Sequence, residues 1–309
     1  LNILSFFYFY ISINKELETD LFKDTQKINF YKKYSETVNH IRFADWRGKN
    51  TISQTTNLNE MIFTVINKSN NGKTILFQGD SWIQQITDID ENSNYLRNSL
   101  GEDFTIIGAG ITSYSPSLMS LQFKLLEENF KIKTDFLITY IDQTDIGDEV
   151  CRYKNLKKFD EKGRLISVPY EKYPLFNDPF NLDKIVKLSE ISLISTSKFY
   201  KVQKYMNYKI MKSFNKIVKV SNKKINKISI SKKCNWAQIE KNLISPSIED
   251  INYFKQSVRE YFTRISNSKN LKKIYVVTHP HYKHIIGDYK SNVSDIINQI
   301  SAESSKINH

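Results

Sequence analysis

Glycine and cysteine are scarce in this chain. Nine glycines stand among 309 residues, about 3% where soluble proteins average about 7%, so each is expected at a backbone position that a side chain would disturb. The two cysteines, Cys151 and Cys234, are too few and too far apart for a zinc site, and the sequence leaves open whether they pair. A chain of this length buries roughly 75% of its unfolded surface, so it needs neither a disulfide scaffold nor a structural metal.

The composition excludes disorder and fibrous repeats, since 40% hydrophobic and 25% charged residues are ordinary values for a folded soluble protein. The formal net charge is +12, from 45 Lys and Arg against 33 Asp and Glu. Such an excess raises nucleic acid or an anionic membrane as a partner. However, the excess is mostly lysine in an Asn- and Ile-rich background, and no stretch interleaves arginine with stacking aromatic residues. We therefore expect solvated lysine faces and no nucleic acid partner.

Long apolar runs are absent, and the one apolar segment is short. Residues 1–14 carry no charge, but a helix that spans a bilayer needs about 20 residues. The segment is either a core helix or, as the first residue Leu1 favours, the end of a longer signal anchor. Residues 15–72 follow as a polar approach segment, in which Trp46 and residues 60–66 are the obvious packing handles.

From residue 73, β-branched runs alternate with helical patterns. Strands are predicted at 74–78, 104–107, 135–141 and 273–278, and helices at 117–130, after a capping box formed by Ser247 and Asp250, and at 291–305. This alternation predicts an α/β fold with a parallel sheet, right-handed crossovers and three layers. Residues 151 to about 246 interrupt it as a lysine-rich, mostly helical insertion.

Five of the nine glycines fall at or just after the carboxyl ends of the predicted strands, where open parallel sheets bind ligands. Turn geometry alone could also require them. The five are Gly79, Gly108, Gly110, Gly147 and Gly287.

Chemically useful residues stand beside these glycines. Ser81, in Gly79-Asp80-Ser81-Trp82, begins a helical pattern whose amide groups favour a negative oxygen in front of them. The position suits a nucleophile, although this tripeptide is also common in plain turns. Gly110 offers an amide with no side chain in the way, which can face a developing oxyanion.

The third strand ends in an acid cluster, residues 142–149, which includes the hydrogen-bonding side chains of Gln143 and Thr144. These carboxylates invite a metal hypothesis. No histidine lies near them in the sequence and their spacing fits no known cation-binding loop, so we expect no metal here.

These three blocks together resemble the SGNH hydrolase family, also called GDSL esterases, in which Gly-Asp-Ser, a glycine block and Gly-x-Asn-Asp follow successive strands. Residues 77–82, 109–117 and 142–149 are similar, more narrowly, to a bacterial subgroup associated with acylation of surface polysaccharides. The resemblance covers residues 73–150 and the fourth strand. It implies a flavodoxin-like three-layer sandwich of SGNH type over residues 73–309.

The resemblance also implies roles for single residues. Ser81 would be the nucleophile, and the amides of Ser81 and Gly110 would bind the oxyanion. Thr144 stands where the family has an oxyanion-binding Asn, and losing such a donor costs roughly 10²- to 10³-fold in rate. Asp142 replaces the family's Gly. The supporting residues would be Asp80, Gln143 and Asp145.

The family's base comes from an Asp-x-x-His block after a fifth strand, and this sequence contains no such block. The fifth strand would begin near His309, so we expect the sequence to be cut at both ends. Alternatively, His281 or His284 serves as base. Together with His279 these residues also suggest a zinc site. The favoured interpretation is instead that they belong to a polar loop beside the cleft.

The resemblance implies a serine esterase or O-acyltransferase acting on acylated, above all acetylated, cell-surface carbohydrate through a seryl ester. It implies no cofactor, a membrane-bound acyltransferase as partner, and a membrane-anchored place at the cell envelope or periplasmic side, with the cytoplasm as the alternative. The competing hypothesis is an inactive SGNH scaffold that binds or assembles carbohydrate. A third hypothesis is an anionic-polymer binder that uses the lysine-rich insertion.

Overall fold

The computed structural model describes residues 58–70, 72–169, 244–279, 281–286 and 291–309, with isolated positions between 30 and 38 and at 239 and 241. The chain divides into two units, and nearly all described residues belong to the one formed by Lys33–Glu171 and Cys234–His309. The predictions for residues 1–14, for Trp46, for Gly287 and for residues 170–238 of the mostly helical insertion fall outside the described residues. No helix of the described ranges combines the length and apolar character needed to cross a membrane.

Eight strands form two sheets in the described ranges. In chain order they are β1 (Thr64–Asn67), β2 (Thr74–Gly79), β3 (Thr105–Gly110), β4 (Phe136–Tyr140), β5 (Lys158–Phe159), β6 (Leu165–Ser167), β7 (Lys273–Val277) and β8 (Ile307–Asn308). The main sheet has six strands in the order β1-β3-β2-β4-β7-β8, and β5 pairs with β6 in a small antiparallel hairpin.

The main sheet is mostly parallel, as the sequence predicted. Only β1 runs antiparallel, along the edge of β3, while the other five strands are parallel to one another. Numbered along the chain, these five have the order 2-1-3-4-5, a doubly wound order whose switch point lies between β2 and β4. Ligands of such sheets bind at the carboxyl edge beside that point.

In the ranges that the structure describes, these strands are connected and covered by the helices α1 (Ser81–Asp88), α2 (Asp90–Leu100), α3 (Pro116–Glu128), α4 (Thr144–Gly147), α5 (Ile248–Ser266), α6 (Tyr282–Ile286) and α7 (Asn292–Ser301). The predicted capping box begins α5, since the Ser247 hydroxyl accepts the Asp250 amide and the Asp250 carboxylate accepts the Ser247 amide. Pro116 suits the first turn of α3, where its missing amide proton costs nothing.

Helices lie on both faces of the main sheet. Phe77 packs with Ile83 of α1 in an apolar cluster, whereas the Gln78 carboxamide donates to the Met119 carbonyl of α3 and accepts the Tyr261 hydroxyl of α5. Neighbouring residues of a strand point to opposite faces. The α/β class is therefore confirmed, and the layering is compatible with a three-layer fold.

Some elements differ from the sequence predictions. The antiparallel strand β1 lies inside the segment 15–72, for which no strand was predicted. The predicted insertion begins with a π-helical turn at Asp148–Tyr153 and a 3-10 turn at Lys154–Leu156, followed by the β5–β6 hairpin. The predicted fifth strand is present as β8, which pairs in parallel with β7. Cys151 is disulfide-bonded, while Cys234 lies outside the described residues.

Candidate active site

Ser81 lies at the carboxyl edge of β2, at the first residue of α1. The helix begins there because the Asp80 carboxylate accepts the backbone amide of Trp82 at 2.9 Å. The Ser81 side chain is half-buried, and its hydroxyl lies 3.4 Å from the second carboxylate oxygen of Asp80. The structure therefore places Ser81 at the edge and the helix terminus where the sequence predicted it.

Gly110 ends β3, directly beside the first turn of α1. A Cβ atom on Gly110 would lie 2.2 Å from the backbone nitrogen of Gln84 and 2.5 Å from the carbonyl carbon of Ile83, so only glycine allows this approach. The Gln84 carboxamide oxygen then accepts both the amide and the hydroxyl of Thr112 at 2.9 Å. Packing of α1 thus accounts for Gly110, whose role as an oxyanion donor stays a prediction.

Thr144 begins α4, after the end of β4. Its amide and its hydroxyl both donate to Asp142 Oδ1, at 2.7 Å and 2.5 Å. A Thr144 hydroxyl that stabilised an oxyanion would have to leave Asp142 first. The role predicted for Thr144 therefore competes with a short hydrogen bond that already exists.

Gln143 connects the end of β4 to α7. Its carboxamide oxygen accepts the amides of Asn292 and Val293 at 3.1 Å and 3.4 Å and the Ser291 hydroxyl at 3.2 Å. Gln143 therefore satisfies amides at the start of α7, which would otherwise lack partners. This role is structural, and it joins residues nearly 150 positions apart in sequence.

Three buried carboxylates converge behind Ser81. Asp80, Asp142 and Asp145 each offer an oxygen, and these oxygens lie within 4.8 Å of one another. Burial and repulsion from Asp142 raise the pKa of Asp80 and of Asp145 well above the ordinary value. Among the described residues these three could hold a metal ion, although the sequence predicted none.

Among the described histidines, His279 is the one whose ring contacts Trp82, the residue after Ser81. It follows β7, and its exposed ring lies 5.3 Å from the ring of Trp82 and 6.4 Å from that of Tyr140, between centroids. Sequence reasoning placed His279 only in a loop beside the cleft. The available signal was its place directly after the predicted fourth strand, but only the strand order brings that strand next to β4.

The other described histidines lie elsewhere. His281 precedes α6 and His284 lies within it, and their rings meet each other with centroids 6.3 Å apart. His309 follows β8 and contacts Thr278 and Asn298. The contacts of the described residues thus join His279, and not the predicted alternatives His281 and His284, to the aromatic side chains at Ser81.

Glu149 is a buried residue of the site region to which the sequence assigned no role. Its carboxylate accepts the hydroxyls of Ser115 and Ser117 and the Ser117 amide, at 2.6–3.0 Å, and it pairs with Lys157 at 2.8 Å. Burial alone would raise the pKa of Glu149, but Lys157 and these hydrogen bonds hold it below the ordinary value. Glu149 thereby anchors the start of α3 to the loop after β4.

The arrangement offers a hydroxyl at a helix terminus, three buried acids, and an imidazole against the aromatic residue that follows the serine, and these groups together suit acyl transfer. Comparisons of the chain with protein-family models, with curated proteins and with solved structures find no match.

Proposed function

We propose that the protein is a serine esterase or O-acyltransferase of SGNH type, with a flavodoxin-like three-layer sandwich. The position of Ser81 carries the proposal, because it combines the switch point of the sheet, a helix amino terminus and a half-buried hydroxyl. The motif resemblance of residues 73–150 supports the same family.

In the proposed reaction, Ser81 Oγ attacks the carbonyl carbon of an ester and forms a seryl ester. The negative charge on the carbonyl oxygen is stabilised by the amides of Ser81 and Gly110. Water or a sugar hydroxyl then accepts the acyl group, so hydrolysis and transfer share every step up to deacylation.

The proposed substrate is acylated, above all acetylated, cell-surface carbohydrate. A membrane-bound acyltransferase is the proposed partner, and the proposed place of action is the cell envelope. The disulfide at Cys151 supports this location, because disulfides persist mainly in oxidising compartments outside the cytosol.

The test is replacement of the nucleophile. Ser81→Ala should abolish acetate release from aryl acetates and from acetylated glycans, and it should abolish labelling by a fluorophosphonate. Ser99→Ala, at an exposed position of α2, is the matched control and should leave both readouts unchanged. Release that continues at the parent rate in a folded Ser81→Ala variant would show that Ser81 is not the nucleophile.

The second candidate is an inactive scaffold that binds or assembles carbohydrate. One observation favours it: Asp142 engages the Thr144 hydroxyl, which the active family would need as a third oxyanion donor. This candidate predicts that the parent protein binds acetylated glycan, measured by calorimetry, while Ser81 takes no fluorophosphonate label.

A further inference from the structure

Ser81, Asp142 and His279 are each the second residue after the end of a strand, and the three strands, β2, β4 and β7, are neighbours in the sheet. The β2–β4 register pairs Gln78 with Thr139, and the next residues, Gly79 and Tyr140, still lie side by side. The β4–β7 register pairs Tyr140 with Val277, two residues before Asp142 and His279. The Ile141 amide still donates to the Val277 carbonyl at 3.1 Å, so the pairing persists past the end of β4.

The ring of His279 extends from the end of β7 toward α1. Adjacent strands lie about 4.8 Å apart, so a residue after β7 starts about 10 Å from one after β2. The His279 ring lies within that gap, because its centroid is 6.4 Å from the ring of Tyr140 of β4 and 5.3 Å from the ring of Trp82, the residue that follows Ser81.

Asp142 supplies a carboxylate at the same edge of the sheet. Its side chain is buried, and its Oδ1 atom accepts two hydrogen bonds from Thr144. Burial raises the pKa of Asp142 above its ordinary value, and the Thr144 hydrogen bonds and the charge of His279 offset only part of that rise. His279 therefore lies near enough to Asp142 for the two side chains to interact electrostatically.

We propose that His279 is the general base and acid that serves Ser81, and that Asp142 is the positioning residue that stabilises the charged ring. The inference rests on the proposed function. In the resembled family a separate Asp-x-x-His block supplies both the base and the carboxylate. Here His279, in the loop after β7, and Asp142, which replaces the family's glycine, would take those two roles.

The proton balance is complete with these groups. As Ser81 Oγ bonds to the acyl carbon, its proton passes to a ring nitrogen of His279, and the carbonyl π electrons move to the oxyanion. When the intermediate collapses, the bond to the leaving sugar oxygen breaks and that oxygen takes the proton from His279. Water or a sugar hydroxyl then attacks the seryl ester and gives its proton to His279. The bond between the acyl carbon and Ser81 Oγ breaks, and Ser81 Oγ takes that proton from His279.

The experiment compares His279→Ala and His281→Ala in the full chain, with aryl acetate as substrate. Loss of a general base costs roughly 10²- to 10⁴-fold, so we expect acetate release and fluorophosphonate labelling of Ser81 to fall by that factor in His279→Ala. Added imidazole should restore part of the lost rate, because the ring that it replaces is exposed to solvent. His281→Ala should keep the parent rate.

Three outcomes would overturn the assignment. A His279→Ala variant that keeps parent activity would exclude His279 as base while leaving the Ser81 function intact. A folded His279→Ala variant that is inactive and gains nothing from imidazole would indicate a structural role. A parent protein whose acetate release and labelling do not depend on Ser81 would remove the proposed function and this inference together.

Discussion

Asp145 shows how a single residue can oppose the stability of this fold. One of its carboxylate oxygens accepts the Asp142 amide at 3.2 Å, and among the described residues the other makes no hydrogen bond. Burial and the negative charges of Asp142 and Asp80 raise the pKa of Asp145 well above the ordinary value. The folded protein therefore binds this proton more tightly than the unfolded chain, and stability falls as pH rises above about 4.

Asp145→Asn should therefore stabilise the protein at pH 8, on the order of 1–3 kcal/mol, because it removes a buried charge and keeps an acceptor for the Asp142 amide. At pH 4.5 the gain should shrink, since a raised pKa means that more of the parent's Asp145 carboxyl is protonated at the lower pH. Urea unfolding at both pH values, with EDTA present to remove bound cations, measures the difference.

Asp103→Asn is the matched control, because Asp103 is exposed in the turn before β3. It should change the free energy of unfolding by no more than about 0.5 kcal/mol at either pH. A loss of stability in Asp145→Asn at pH 8 would contradict the expectation and would indicate that the charge of Asp145 is compensated in the fold.

At the scale of an element, α3 owes its start to a residue outside the helix. Ser115 at the N-cap makes no side-chain capping bond to its own helix. The hydroxyl instead donates to Glu149, which also accepts the Ser117 amide in the first turn. A buried carboxylate at this position is favoured by the partial positive charge of the helix terminus, and the cation of Lys157 balances it.

Glu149→Gln should destabilise the protein by about 3–5 kcal/mol at pH 7, because it leaves the Lys157 charge buried without its partner. The loss should diminish as the pH falls below about 4.3, since a carboxyl with a lowered pKa stabilises the fold only while it is ionised. Thermal and urea unfolding of the parent and the variant measure the loss.

Glu128→Gln breaks an exposed pair with Lys124 on the same helix, so it is the control for loss of an ion pair without burial. Exposed pairs contribute about 0–1 kcal/mol. Equal effects of the two substitutions would refute the anchoring role of Glu149.

At the scale of the whole unit, a polar network ties together segments on either side of the insertion. The Tyr261 hydroxyl of α5 donates to Gln78 Oε1 of β2 at 2.7 Å and lies 3.0 Å from the Thr139 hydroxyl of β4. The Gln78 amide nitrogen donates to Gln122 of α3. The buried polar groups of this network have hydrogen-bond partners on different elements. The sheet and the helices α3 and α5 are therefore expected to unfold together.

Tyr261→Phe should lower the free energy of unfolding by about 1–3 kcal/mol, because it leaves the Gln78 oxygen buried without its donor. Urea unfolding followed by fluorescence and by circular dichroism should give coincident transitions in the parent. Tyr275→Phe, at a position that is 45% exposed on β7, is the matched control and should have little effect. A Tyr261→Phe variant as stable as the parent would show that the network contributes nothing measurable.

The sequence alone predicted the features that depend on neighbouring residues. Hydrophobic periodicity indicated the four main strands, and the hydrogen bonds of the Ser247 capping box span only three positions. The turn that presents Ser81 is equally local, since the Asp80 carboxylate caps the helix by accepting the amide of Trp82, two residues later. A single sequence is enough to predict such features, because the residues that interact are only a few positions apart.

Only the tertiary structure decided which distant residues meet at the site. Gln143 caps a helix 149 positions away, and His279 reaches Trp82 because β4 lies between β2 and β7 in the sheet. Strand order and register determine these contacts, and hydrophobic periodicity is the same for every order of the strands. The local sequence pattern therefore fixed the position of the Ser81 turn, whereas the contacts of the histidines depended on the strand order of the assembled sheet.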